Sequence, residues 1–236
     1  MKPLITDTWV YLSASPLLGL TLTLVAYQLA FWIYRRSGDR AWANPVLLAI
    51  IIITGFLLLT NTPYPRYFEG AQFVHFLLGP ATIALAVPLY AHWPRLKRMF
   101  MPLMVALVAG SITAALSAVA IAKLLGATPA TVYSLAPKSV TTPIAMGVAE
   151  KIGGIPSLTA VLVILTGIIG AMAFPTLFRL LRIRDHAAQG FAVGVAAHGL
   201  GTARAFLISE EMGAFSALAM GLNGLLTAVV LPLLLR

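Results

Sequence analysis

Six stretches of this chain are almost free of charge for about the length needed to cross the hydrocarbon core of a bilayer, roughly 20 residues. They run from Trp9 to Tyr34, Pro45 to Thr60, Ala71 to Tyr90, Phe100 to Ala122, Leu158 to Phe178 and Ala214 to Leu235. Composition agrees: 60% of the 236 residues are hydrophobic and only 10% are charged. A soluble domain carries about 25% charged residues, so too little polar surface exists here to face water. The chain is therefore expected to be an all-α integral membrane protein, with lipid as the solvent for most of its surface. The start of the chain shows no cleavable signal, and no soluble domain is expected at either end. Cysteine is absent, which excludes disulfides and thiolate metal sites.

The formal net charge of +9 is not the footprint of a nucleic-acid binder, because the basic residues sit in short clusters between apolar runs. Arg35, Arg36 and Arg40 follow the first run, Arg95, Lys97 and Arg98 the third, and Arg179, Arg182 and Arg184 the span that begins at Leu158. Nine of sixteen basic residues lie in these three places, which should all be cytoplasmic. That arrangement places the N-terminus outside and the protein in a bacterial inner membrane. It also requires the stretches 129–154 and 187–213 each to enter the membrane and return on the same side. The alternative is eight crossings with broken helices and one violated loop.

Both stretches are too polar and too interrupted to be lipid-facing helices. The first holds Pro137, Lys138, Ser139, Thr141, Thr142, Pro143 and Glu150; the second holds His198, Gly199, Gly201, Thr202, Arg204 and Glu210. A shift of 60 residues places Thr142 on Thr202, Ala145 on Ala205, Glu150 on Glu210 and Gly153 on Gly213. The expected architecture is thus one membrane domain over 1–236, with N-terminal helices in 1–100 and two hairpin-plus-helix repeats, 129–182 and 187–235. Six spanning helices with two inverted re-entrant or broken-helix hairpins is a transporter-like plan.

Helix N-termini freed at such breaks attract anions in a low-dielectric site. Pro137 and Pro143 interrupt the backbone ladder, and Ser139 or Thr141 can cap the helix that follows. In the second stretch Gly199 and Gly201 free the backbone, Thr202 can cap, and Arg204 offers a two-pronged donor to a carboxylate. Ser139, Thr141, Thr142, Thr202, Gly199, Gly201, Lys138 and Arg204 are therefore the candidate cradle for a small organic anion. His198, Glu150 and Glu210 are candidate proton carriers, and Gly79 with Pro80, Pro137 and Pro143 are candidate hinges or kinks. Each has a plainer alternative. Lys138 can snorkel to the interface, Arg204 can pair with a glutamate, His198 can be a hydrogen-bonded core residue, and the threonines can bond back to helix carbonyls. Glu150 and Glu210 can be solvated hairpin ends, and Gly79-Pro80 a simple kink. Enzyme chemistry finds no support: Asp7, Asp39 and Asp185 all lie in predicted loops or the terminus, and no cluster has metal-ligand spacing. No cofactor is implied.

Asn44-Pro45, the run from Leu78 to Tyr90 (Leu-Gly-Pro-Ala-Thr-Ile-Ala-Leu-Ala-Val-Pro-Leu-Tyr), Pro137-Lys-Ser-Val-Thr-Thr-Pro-Ile-Ala145 and His198-Gly-Leu-Gly-Thr-Ala-Arg-Ala205 together resemble the LrgB/CidB membrane-protein family. The resemblance covers nearly the whole chain. It implies a holin/antiholin-like modulator of murein hydrolase export and autolysis, encoded beside a smaller LrgA/CidA-type membrane partner. It is also similar to plastidial glycolate/glycerate translocators, which implies transport of small monocarboxylates. The residues themselves favour a secondary carrier, with the holin-like pore or regulator as the alternative; homo-oligomerisation is expected on either.

Overall fold

The structure is a computed structural model, and it describes residues 16–235. Those residues are all-helical, with no strand among them. Four helices are long and apolar enough to cross a membrane, and a bent pair, Tyr64–Val74 with Gly79–Ala91, would add a fifth. The protein is a multi-pass membrane protein.

The chain divides into two compact units, Met1–Ala84 and Leu85–Arg236. In the first, α1 (Pro16–Arg36) packs on α2 (Pro45–Leu59) and α3 (Tyr64–Phe76), and α4 (Leu78–Ala84) follows a break at Leu77. The part of the first predicted span before Pro16 lies outside the described residues. α2 starts where the Asn44 side chain accepts from the amides of Val46 and Leu47 and Pro45 takes the first helical position, a favourable N-cap pairing. Thr23 on α1 shares a hydrogen bond of 2.8 Å with the Tyr67 hydroxyl on α3. The predicted third span is not one helix. It is shared among the end of α3, α4, and α5 (Ala86–Ala91), and Gly79 and Pro80 fall in the first turn of α4.

The second unit holds α5, α6 (Trp93–Leu124), α7 (Pro129–Leu135), α8 (Thr142–Ile152), α9 (Pro156–Leu180), α10 (His186–Phe206) and α11 (Glu210–Leu234). The fourth predicted span begins earlier than its apolar run implied. α6 takes in Arg95, Lys97 and Arg98, which read as a loop from charge alone. A helix can carry such residues at its end because their stems lie on apolar surface while the charge reaches water. Leu103 and Leu107 of α6, Phe191 and Val195 of α10, and Phe215 and Ala219 of α11 form the main buried cluster. Beyond this and three smaller buried clusters the long helices are largely bare. Only 11% of the most apolar window of α6 is buried, and 28% of those of α9 and α11. Exposed Leu116, Ile121, Ile169, Leu225, Val229 and Leu233 make a surface that only lipid or another apolar partner covers at low cost.

α10 doubles back on itself. Gly190 lies against Met212 and Gly194 against Ser216, so its first limb runs parallel to α11. Thr202 then bonds to Ser216, and Phe206 meets Gly213, so its second limb runs antiparallel to the same helix. The reversal is at His198, with φ 40° and ψ −136°. Gly201 accordingly packs on Val193 and Ala197; in an unbroken helix, residues eight apart stand about 12 Å apart along the axis. The ends of the doubled segment are held by one side chain. Arg95 pairs with Asp185, the N-cap of α10, and at 2.5 Å with Glu211 in the first turn of α11.

Small residues are what allow the first limb of α10 to lie so close to α11, as in many membrane helix pairs. A Cβ on Gly194 would collide with the Ser216 carbonyl oxygen, whereas one on Gly221 meets open space. Gly194→Val is therefore expected to lower the thermal unfolding temperature of the detergent-purified protein by many degrees. Gly221→Ala is expected to leave it unchanged or raise it, by up to about 1 kcal/mol of helix propensity. Equal behaviour of the two variants would contradict the packing described.

Candidate functional site

The candidate site residues from 137 to 204 all belong to the second unit, where two interruptions of helical backbone come together. The first is the non-helical segment 136–141 between α7 and α8; the second is the reversal at His198. Both leave backbone carbonyls without helical partners, and in an apolar interior such groups must be satisfied by something else.

One side chain answers for both. Asn223, 1% exposed in the middle of α11, donates through Nδ2 to the Ser139 carbonyl at 3.2 Å and to the Val195 carbonyl at 3.1 Å. Its Oδ1 is buried with no hydrogen-bond partner among the described residues. The second break is also fastened elsewhere: His198 Nε2 lies 3.0 Å from the Val163 carbonyl of α9. A carbonyl only accepts, so Nε2 carries the proton. The seat for the ring is Gly167, where a Cβ would strike the imidazole. Thr202 does not cap an anion-facing terminus. Its hydroxyl donates to the His198 carbonyl at 2.8 Å and accepts from Ser216 at 2.9 Å, which is the back-bonding alternative.

The fastenings cross over. α9 follows the first break and holds the second; α11 follows the second break and holds the first. Val163 and Asn223 are 60 residues apart, the offset that aligns Thr142 with Thr202. Each half is also closed below its break: Ser134 accepts from the Ile155 amide at 2.7 Å, and Gly194 sits against Ser216.

The remaining candidates are distributed as follows. Lys138 is half-buried and donates to the Ser139 hydroxyl at 3.3 Å. Pro137 and Ser139 are buried, and Thr141 and Thr142 are half-buried. Thr141 occupies the N-cap position of α8 without a capping side-chain bond. Gly199 and Gly201 begin the second limb of α10, and Pro143 is exposed in the first turn of α8. Arg204 is buried on that second limb, at 7% exposure. Glu150 and Glu210 are exposed at helix ends. Gly79 and Pro80 belong to the first unit.

A cavity of about 200 Å³ opens beside the first break, lined by Ala136, Pro137, Ser139, Asn223 and Thr227 together with apolar residues of α6 and α11. Neither Arg204 nor Thr202 lines it. The arrangement thus gathers Lys138, Ser139, His198, Thr202 and Asn223 around the crossed breaks, while Arg204 lies six residues past the reversal on the second limb of α10. Asn223 is a residue of the candidate site that the sequence analysis did not single out, although it stands as a polar residue in an apolar span. The available signal was the expense of a carboxamide at that depth, which demands partners.

Replacing Asn223 by leucine leaves the Ser139 and Val195 carbonyls buried without their donor. A loss of about 2–4 kcal/mol is expected from the usual penalty per orphaned group, read as a fall in unfolding temperature in detergent. Thr202→Val removes one hydroxyl pair and should lose less than half as much. The opposite ranking would mean that Asn223 does not brace the breaks.

A family model described as the LrgB-like family matches residues 23–236. The chain is 40% identical over 219 residues to the protein called "Uncharacterized protein YwbG" of Bacillus subtilis (strain 168), covering 93% of this chain and 97% of that one. It is 32% identical to the "Antiholin-like protein LrgB" of Bacillus cereus (strain B4264), and to that of Bacillus anthracis (strain CDC 684 / NRRL 3495), in each case over 93% of this chain and 95% of the relative. No solved structure matches. With the family model spanning nine-tenths of the chain and relatives aligned almost end to end, the chain belongs to the LrgB family.

Proposed function

We propose that the protein is an antiholin-like membrane protein of the bacterial inner membrane, acting with a smaller LrgA/CidA-type membrane partner to modulate murein hydrolase export and autolysis. The observation that carries this reading is the naming of relatives that align over 93% of the chain. It reverses the order drawn from the residues alone, where a carrier stood first.

The topology we infer has six spans, two re-entrant elements and an external N-terminus. Arg95 touching both Asp185 and Glu211 supports a common side for the two ends of the second element. α6 leaves that side and α9 returns to it, so both ends of 125–155 belong to the other. Six arginines and lysines gather at the Arg95 end (Arg95, Lys97, Arg98, Arg179, Arg182 and Arg184), which supports a cytoplasmic assignment. The crossed fastening of the breaks supports two inverted repeats, 129–182 and 187–235.

That same crossing favours a second reading, a secondary carrier for small monocarboxylates such as pyruvate, glycolate or glycerate. Discontinuous helices meeting at mid-depth are how carriers build a site that either side can reach. Arg204 would meet the carboxylate after a shift of the second hairpin, with Ser139, Thr141, Thr142 and Thr202 around it. Lys138, Gly199 and Gly201 would border the cradle, and His198 would relay a proton toward Glu150 or Glu210. A homo-oligomer fits both readings.

The test is uptake of labelled pyruvate, glycolate and glycerate into liposomes holding the purified protein, alone and with its partner. Under the antiholin-like reading the chain alone gives no saturable uptake, and expressing it with the partner changes the rate of cell lysis. Saturable uptake by the chain alone, falling at least tenfold in Arg204→Ala, would put the carrier first. Unchanged lysis in the presence of the partner would remove the antiholin-like reading.

A further inference from the structure

At the end of α9 away from the crossed breaks is a second cavity, of about 420 Å³. Its floor is apolar: Phe174 and Phe178 of α9 and Met212 of α11, all buried. Its rim is cationic: Arg179, Arg182 and Arg184, with Gln189 of α10 beside them and Ile208 of the turn before α11. We propose that this cavity binds the headgroup of an anionic glycerophospholipid, with the phosphate among the three arginines and the glycerol and upper acyl chain against Phe174, Phe178 and Ile208.

Three observations on the pocket carry the proposal. The first is uncompensated charge. Asp185 follows Arg184 directly, yet one of its oxygens accepts from the Ala188 amide and the other is paired with Arg95. Among the described residues no carboxylate lies within ion-pairing distance of Arg179, Arg182 or Arg184, whereas Arg95 on the same end has two. The second is the backbone at Arg182. It closes α9 in the left-handed conformation, φ 56°, where the Ile183 amide returns to the Phe178 carbonyl. Glycine is the favoured residue there and any side chain is strained. The third is the pairing of three cations with an aromatic floor. A free inorganic anion has no use for the floor, and an acyl chain alone has none for the arginines. The pocket also lies at the end of a helix of membrane-spanning length, the end that the proposed topology sets among headgroups, where each cation near an anionic lipid contributes roughly a fivefold change in affinity. Because the wall includes both α9 and the base of the α10 hairpin, an occupant bridges the two.

Binding is measured on the full-length protein in a neutral detergent, by the saturable rise in unfolding temperature on adding short-chain phosphatidylglycerol. Phosphatidylcholine of the same chain length and inorganic phosphate serve as the other two probes. Phosphatidylglycerol should stabilise, and the other two should not. Replacing all three arginines by glutamine should weaken its apparent affinity roughly a hundredfold, while Arg98→Gln, which removes a charge outside the pocket, should not change it. Arg182→Gly keeps the measurement decisive if the triple variant does not fold. It should unfold at a higher temperature without lipid and still bind phosphatidylglycerol several-fold more weakly. Stabilisation by inorganic phosphate equal to that by lipid would make this a free-anion site. Equal loss in Arg98→Gln would make it a general surface-charge effect. Unweakened binding by Arg182→Gly would leave the arginine with no role toward lipid. Each of these overturns the proposal.

Discussion

The second unit is organised around the carboxamide of Asn223, which donates to a carbonyl at each of two interrupted helices from the middle of a third. In hydrocarbon there is no water to take over the backbone groups that a broken helix releases, and each one left alone costs several kcal/mol. The breaks persist because a side chain on the neighbouring long helix supplies the donor. His198 completes the bracing from the other direction, by giving its ring proton to the Val163 carbonyl. The Asn223 Oδ1 is buried without a hydrogen-bond partner among the described residues.

Close contact between helices makes that bracing reachable. Glycines at 190 and 194 bring α10 against α11, and those at 167 and 170 receive the tip of the reversal on α9. Apolar burial does little to associate helices in lipid, so short-range packing and a few polar contacts must do it. At one end of the unit a different force operates. Arg95 gathers Asp185 and Glu211, and this cluster fixes where α10 starts and α11 begins. Neighbouring arginines stay uncompensated beside it. One end of the bundle thus combines a neutralised clasp with an electropositive pocket over an apolar floor.

Much of this was legible in advance. The apolar runs located α6, α9 and α11, because a span has to be long and uncharged whatever it packs against. Pro137, Pro143, Gly199 and Gly201 marked the two interruptions, since prolines and glycines act on their own backbone. Other features were hidden. Arg95, Lys97 and Arg98 looked like a loop and are helical, because long cationic side chains can leave a helix end toward water. The predicted third span is divided among three short helices, a division that hydropathy averages away. Arg204 stood out as the natural partner for an anion. Its burial away from the cavity beside the first break depends on how the second hairpin folds.

The sequence by itself determined that the chain lives in a membrane, that several of its segments are long enough to cross it, where the helical ladder must fail, and to which family the chain belongs. These follow from local chemistry: side-chain transfer, backbone valence and residue order. Only the tertiary structure decided that α10 turns back at His198, that each break is held by the helix following the other, and that Asn223 is the residue joining them. Those depend on which donor meets which carbonyl across tens of residues, and no local preference encodes that meeting. It is settled when close-packed helices bring a buried polar group to the one neighbour able to satisfy it.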